Sequence, residues 1–173
     1  AQSSDDELTH YGGGGGSSAR HALSEGMRIA HSNVGINPYR FGFVGSSDFH
    51  SGLSDSEESA RGRGKQSSGL TGVWAESNTR EAIFAALLRK ETFATSGTRL
   101  QLRFFGGWSY EPSLLSNPQW LRTAYRDGVP MGRDLPARSE KQTSPVFIVH
   151  ARKDPHGANL EKLQIVKVWV ESD

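Results

Sequence analysis

The chain has 173 residues, of which 35% are hydrophobic and 23% are charged, so it can bury one modest core. Its formal net charge of +1 indicates neither a nucleic-acid partner nor a membrane partner. Cysteine is absent, which excludes disulfides, cysteine nucleophiles and thiolate metal ligands, and no apolar run approaches the length of a membrane span.

The two ends of the sequence predict a piece of a longer protein. The chain begins AQSSDDE, without Met and without an apolar signal segment, and it stops directly after a strand-like run. We therefore expect either that a presequence has been removed or that the chain starts within a longer gene. Residues 1–17 include five consecutive glycines and predict a flexible loop or linker, because such a segment cannot pack.

The first part of the chain predicts one helix, one strand and a long loop. A helix is predicted from Ser18 to about Ser32, although Gly26 weakens it. Residues 41–44 form a short apolar run between turn residues, which predicts a buried strand. Residues 51–69 are rich in serine, glycine and charge, and they predict a long surface loop of the kind that is often functional.

A second helix is predicted more clearly. Asn78 is the predicted N-cap and Glu81 stands three residues later, as in a capping box. The helix is predicted to end near Lys90, and a strand over 92–95 follows it. The predicted apolar face consists of Ile83, Phe84, Leu87 and Leu88.

The sequence after Gly97 predicts a β-rich, antiparallel region, so we place a domain boundary near Ser96 and Gly97. A short helix is predicted with Asn117 as its cap and Gly128 as its stop. No chemistry is obvious in this part of the chain. The three predicted strands cover residues 100–105, 145–151 and 163–170.

One short pattern, Asp48 and His50, predicts chemistry. The two residues stand two apart, just after the predicted strand 41–44, so in an extended chain their side chains point to the same side. A carboxylate and an imidazole together suit zinc, manganese or iron, and sites lie at the carboxyl ends of strands in α/β sheets. A catalytic metal needs at least three protein ligands, so this pair is not a complete site.

A different interpretation of this pattern stays open. The D-x-H triplet is common by chance, and Asp48 as a turn cap with His50 on the surface fits the same letters. Trp74 and Glu76, just before the second helix, are candidates for lining a pocket, although a core tryptophan and an exposed glutamate explain them equally well.

Longer motifs carry a resemblance that covers nearly the whole chain. The run NPYRFGFVGSSDFHSGL at 37–53 resembles the family named domain of unknown function 3604 (DUF3604), and so does SGLTGVWAESNTREAIFAALLRKETFATSG at 68–97. Three shorter runs agree with the same family: RFFGGW at 103–108, GVPMG at 128–132 and LQIVK at 163–167.

That family is similar to the PHP (polymerase and histidinol phosphatase) metallohydrolases, which have a distorted β/α barrel and a site with more than one metal ion. The resemblance implies an α/β fold in which residues 1–97 form the C-terminal part of such a barrel and 98–173 form an appended β-rich region. It maps the late D-x-H ligands of these enzymes onto Asp48 and His50. The early H-x-H is missing here, so the resemblance implies upstream ligands in the same gene or in a nicked partner chain. It also implies export, to the periplasm or outside a bacterium.

The expected function is therefore hydrolysis of a small-molecule ester by metal-activated water, with Asp48 and His50 as metal ligands. A phosphoester is the first expectation, and a carboxyl or carbamate ester is the alternative. Arg61 and Arg63 follow the metal motif and are candidates for binding an anionic substrate. The competing hypothesis is a non-catalytic β-rich fragment or binding module that lacks a complete metal site.

Overall fold

The computed structural model describes residues 19–46, 69–139 and 144–170. The chain divides into two compact units. The first combines residues 1–40 with 162–173, and the second comprises residues 41–161. The predicted cap Ser18 lies outside the described residues, and the predicted boundary near Gly97 stays a prediction.

The first unit contains helix α1, Ala19–Ile29, which continues as a π-helical turn over Ala30–Val34. Gly35 ends it with φ of 66°, and its N–H bonds the carbonyl of Ala30 at 3.2 Å. Gly26 is buried within α1, and a Cβ there would lie 2.2 Å from Oδ1 of Asn37. The glycine that weakened the helix prediction therefore leaves room for the side chains of Asn37 and Tyr39, which pack closely against α1.

The prediction of a strand over 163–170 is wrong. No residue of this segment is in a strand, and its large apolar side chains are exposed. An alternating pattern shows that a segment is suited to a sheet, but a strand also needs a hydrogen-bonded neighbour. Within the described ranges, no strand pairs with this segment.

The second unit begins with a two-stranded antiparallel sheet. Strand β1, Leu70–Val73, pairs with β2, Thr92–Thr95, so that Leu70 lies opposite Thr95 and Val73 opposite Thr92. The prediction of a strand over 92–95 is confirmed. Phe93 is 8% exposed, and its ring lies where a Cβ on Gly72 would be, so this glycine lets the ring pack onto β1.

Helix α2, Arg80–Leu88, connects these strands, and its cap differs from the prediction by one residue. Thr79 is the N-cap, and its hydroxyl accepts the N–H of Ala82 at 3.3 Å, whereas Asn78 precedes the cap. The helix ends before Lys90, which has φ of 61°. The predicted apolar face is largely exposed, with Phe84 at 60% and Leu88 at 67%.

The prediction of a buried strand over 41–44 is also wrong. This segment runs alongside the β1–β2 sheet, but it is not assigned as a strand. Threonine hydroxyls of the sheet hold its backbone instead. Thr92 donates to the carbonyl of Phe43 at 2.7 Å, and Thr71 exchanges two hydrogen bonds with the backbone of Gly45. Phe43 is thus fixed at Thr92, and Gly45 is fixed at Thr71, which lies opposite Ala94. Since residues 43 and 45 lie along residues 92 and 94 in the same order, the segment runs in the same direction as β2.

The second sheet has the order β4–β3–β5 and is antiparallel throughout. The predicted strands at 100–105 and 145–151 are confirmed as β3, Gln101–Gly107, and β5, Val146–Arg152. The short edge strand β4, Gly128–Pro130, pairs with the end of β3.

Helix α3, Trp120–Asp127, packs on this sheet and stops at Gly128 as predicted. Its start is two residues later than predicted, because Asn117 caps a preceding turn by accepting the N–H of Gln119 at 2.8 Å. A short 3₁₀ helix, Leu114–Ser116, precedes it. The core between helix and sheet consists of Phe105, Tyr110, Leu114, Ala124 and Ile148.

The fold is thus a mixture of helices and antiparallel sheets, consistent with an α/β class. In the part of the chain that the structure describes, the sheets do not close into a barrel. None of the described helices is long and apolar enough to cross a membrane.

Candidate functional site

The four residues predicted to form the site, Asp48, His50, Arg61 and Arg63, lie outside the described residues. The structure does describe the chain that leads to them. Ser46 lies beside Gly69, whose ideal Cβ would be 2.5 Å from the carbonyl oxygen of Ser46 and 3.2 Å from that of Thr95. The predicted metal motif therefore follows, in the sequence, a segment that ends where β2 ends.

The donor chemistry of Asp48 and His50 suits a divalent metal, but two ligands do not complete a site. Across residues 19–46, 69–139 and 144–170, no three His, Cys, Asp or Glu side chains come together in a way that could hold a metal ion. The described residues alone therefore do not form a metal centre.

A second D-x-H triplet, Asp154 and His156, shows what this pattern does in a turn. The Asp154 carboxylate accepts the backbone N–H of Arg99 at 2.7 Å and that of His156 at 2.9 Å. These hydrogen bonds, that of Arg99 foremost, hold the pKa of Asp154 below its usual value. The His156 side chain is exposed. This triplet is a turn cap, and it is a matched internal control for the predicted metal motif.

A cleft of about 610 Å³ opens near the other end of the β1–β2 sheet, where β1 ends and β2 begins. It is lined by residues that follow β1 and precede β2, by residues of β3, β4 and α3, and by the turn after β4. The charged and aromatic side chains of its lining are Trp74, Glu76, Arg89, Glu91, Arg103, Tyr125 and Arg133.

Glu91 lines this cleft and is buried, with only 3% of the residue exposed. The Tyr125 hydroxyl donates a hydrogen bond to Oε1 of Glu91, and Nε of Arg89 lies 3.4 Å from Oε2. A buried carboxylate is costly unless it is paired, so these two partners compensate its charge.

Arg103 is held in place by an aromatic ring and a hydroxyl. Its Cζ lies 3.4 Å from the centroid of the Trp74 ring, within cation–π range. Its Nη1 donates to the Tyr125 hydroxyl at 3.2 Å. The Trp74 ring is fixed in turn, because its Nε1 donates to the carbonyl of Leu102 at 2.8 Å. The guanidinium is therefore held in a defined position by its neighbours.

The pKa of Tyr125 is raised above its ordinary value, first by burial and then by the hydrogen bond to Glu91 and the charge of that carboxylate. Arg103 opposes this shift. The phenol therefore stays protonated at neutral pH, so its oxygen can accept from Arg103 while its proton is donated to Glu91.

The sequence indicated part of this cleft. Trp74 and Glu76, the two candidates for lining a pocket, both line this cleft, and Glu76 is also exposed, as the competing interpretation held. Glu91, Arg103 and Tyr125 were missed. Arg103 could have been noticed as a charged residue within a strand of alternating apolar and polar residues. Glu91 and Tyr125 have no local sequence pattern that distinguishes them from surface residues.

The described fold defines a mixed α and β protein with two small antiparallel sheets and an arginine-lined cleft. The family model described as protein of unknown function (DUF3604) matches residues 9–62 and 57–173, so the chain belongs to that family. These matched residues include both the D-x-H motif and the cleft. No curated protein and no solved structure matches the chain.

Proposed function

We propose that the chain is part of a metal-dependent hydrolase that acts on ester bonds, a phosphoester first and a carboxyl or carbamate ester as the alternative. The supporting observation is the path of the chain before Asp48. Residues 41–46 run in the same direction as β2 and end beside the end of β2, at Gly69 and Thr95. Carboxyl ends of neighbouring segments with a common direction are where α/β folds place ligands.

In this proposal Asp48 and a neutral His50 hold zinc, manganese or iron, and more than one ion is expected in the full site. The bound metal would supply a water activated for attack and a Lewis acid for the scissile oxygen. The proposed kinship with PHP enzymes assigns the other ligands to upstream sequence, from the same gene or from a nicked chain. Export to the periplasm or beyond is part of the same proposal.

The alternative is a non-catalytic binding module that lacks a complete metal site. The observation that favours it is the turn at Asp154, where the same triplet spacing caps a turn by accepting backbone N–H groups. If Asp48 does the same, it binds no metal.

We expect the native protein to contain at least one equivalent of a transition metal, and Asp48→Ala and His50→Ala to lose it. Removing a ligand takes away a direct metal bond, so the effect should exceed the tenfold to hundredfold loss of affinity typical of outer-shell residues. Elemental mass spectrometry of protein purified without chelators measures this content. His156→Ala, which removes the exposed histidine of the second triplet, is the matched control and should retain the metal.

Native protein without metal would support the binding module and contradict the hydrolase. Equal metal content in the wild type and in both variants would contradict the assignment of Asp48 and His50 as ligands.

Arg61 and Arg63 are proposed to bind the anionic part of the substrate. In the metal-loaded parent enzyme, the double replacement of Arg61 and Arg63 by alanine should raise the Michaelis constant for a phosphate monoester by about tenfold or more, because two charge-assisted hydrogen bonds are lost. Steady-state kinetics measures this, with a neutral carboxyl ester as the control substrate. An unchanged Michaelis constant for the phosphate ester would remove these arginines from the site.

A further inference from the structure

We propose that the cleft lined by Trp74, Arg103 and Arg133 binds a small organic molecule through an oxyanion, either a carboxylate or a phosphate. The proposal does not rest on hydrolysis or on metal at Asp48. The cleft lies where β1 ends and β2 begins, whereas the chain toward Asp48 ends beside the opposite end of this sheet.

The charges of the cleft favour an anion. Its lining contains three arginines and two glutamates, so the net charge of the lining is +1. Glu91 is already compensated by Arg89 and by the Tyr125 hydroxyl, and it is almost completely buried. Glu76 and Arg133 are both exposed, so water weakens the charges of both without removing them. Because Arg89 and Glu91 compensate each other, two guanidinium groups and one carboxylate remain, and the cleft presents a net positive charge to a ligand.

Arg103 has unused hydrogen-bonding capacity. A guanidinium carries five N–H donors, and within the described part of the chain Arg103 uses one of them for a hydrogen bond to Tyr125 and stacks on Trp74. Among the described residues no carboxylate forms an ion pair with it. A planar, fixed guanidinium with free donors is suited to bidentate binding of a carboxylate or phosphate.

Arg133 is presented to the same cleft by an anchored turn. The N–H of Met131 bonds the carbonyl of Phe104 at 2.8 Å, and the N–H of Arg133 bonds that of Pro130 at 3.3 Å. Gly132, between them, has φ of +82° and lies directly against the carbonyl of Lys90. The backbone that carries Arg133 is therefore held against both β3 and the turn before β2.

The rest of the lining indicates a small organic ligand. Trp74, Val129 and Pro130 contribute apolar surface beside the arginines. The volume of about 610 Å³ is within the range of small-molecule pockets, which combine apolar walls with a few placed polar groups. A polyanion is disfavoured by the overall charge of +1.

The test is isothermal titration calorimetry on the full chain after chelator treatment, with inorganic phosphate and benzoate as separate probes. We expect saturable 1:1 binding of at least one probe, and the stronger one identifies the ligand class. Arg103→Lys, which keeps the charge but loses the planar fork, and Arg133→Gln should each weaken binding about tenfold or more. Glu76→Gln should tighten it, because a nearby negative charge is removed.

Arg122→Gln is the matched control, because Arg122 is exposed on α3 and does not line the cleft. It should bind like the wild type, and so should Asp48→Ala. Since Arg133 is exposed, its variant tests the site even if Arg103→Lys fails to fold. The proposal is overturned if neither probe binds saturably or if Arg122→Gln weakens binding as much as Arg133→Gln. Loss of binding in Asp48→Ala would also overturn it, by placing the anion at the metal motif.

Discussion

Phe105→Ala is expected to lower the free energy of unfolding by about 3–5 kcal/mol, the usual cost of removing a buried phenylalanine. Phe105 is 1% exposed and is the large side chain most completely buried among the described residues. Its ring meets Tyr125 edge-on with centroids 4.9 Å apart, and Trp120 with centroids 6.2 Å apart. Alanine would leave a cavity beneath α3 and remove the support of Tyr125 in the cleft. Urea denaturation followed by tryptophan fluorescence measures the loss.

The matched control is Phe84→Ala on α2, where the same atoms are removed from a side chain that is 60% exposed. This change should stay within about 0.5 kcal/mol, because surface substitutions rarely cost more. A loss at Phe84 equal to that at Phe105 would contradict the burial described here.

Gly132→Ala should be the second most costly change, at about 2–4 kcal/mol, because two penalties combine. The φ of +82° is unfavourable for any residue with a Cβ. In addition, that Cβ would lie 2.2 Å from the carbonyl oxygen of Lys90 and 2.6 Å from its carbonyl carbon. Both atoms belong to the backbone, so no side-chain rotation relieves the overlap. The turn would move, and we expect Arg133 to move with it and phosphate affinity to fall.

Gly35→Ala separates the two penalties. Gly35 has φ of +66°, but a Cβ there would meet nothing within 4 Å. Its cost should be the backbone penalty alone, about 1–2 kcal/mol. Thermal and urea unfolding of both variants give the comparison. Equal losses of unfolding free energy in the two variants would show that the overlap with the Lys90 carbonyl does not destabilise Gly132→Ala.

The sequence alone determined the family. It also determined the helices and strands that have a clear local pattern of apolar and capping residues. The strands at 92–95, 100–105 and 145–151 formed as predicted, because each has an antiparallel partner within its own unit. The start of α2 was predicted to within one residue, since caps depend on local hydrogen bonds. Composition alone excluded disulfides and thiolate chemistry, because the chain has no cysteine, and the net charge of +1 gave no indication of a nucleic-acid partner.

The tertiary structure decided which apolar runs became strands. Residues 41–44 and 163–170 have the right pattern, but a pattern does not supply a partner, and neither run forms a strand. Only the fold brought Trp74, Glu91, Arg103, Tyr125 and Arg133 to one cleft. These residues lie on different elements, so no local spacing reports their proximity, and the charge balance that predicts oxyanion binding exists only where the chain has folded them together.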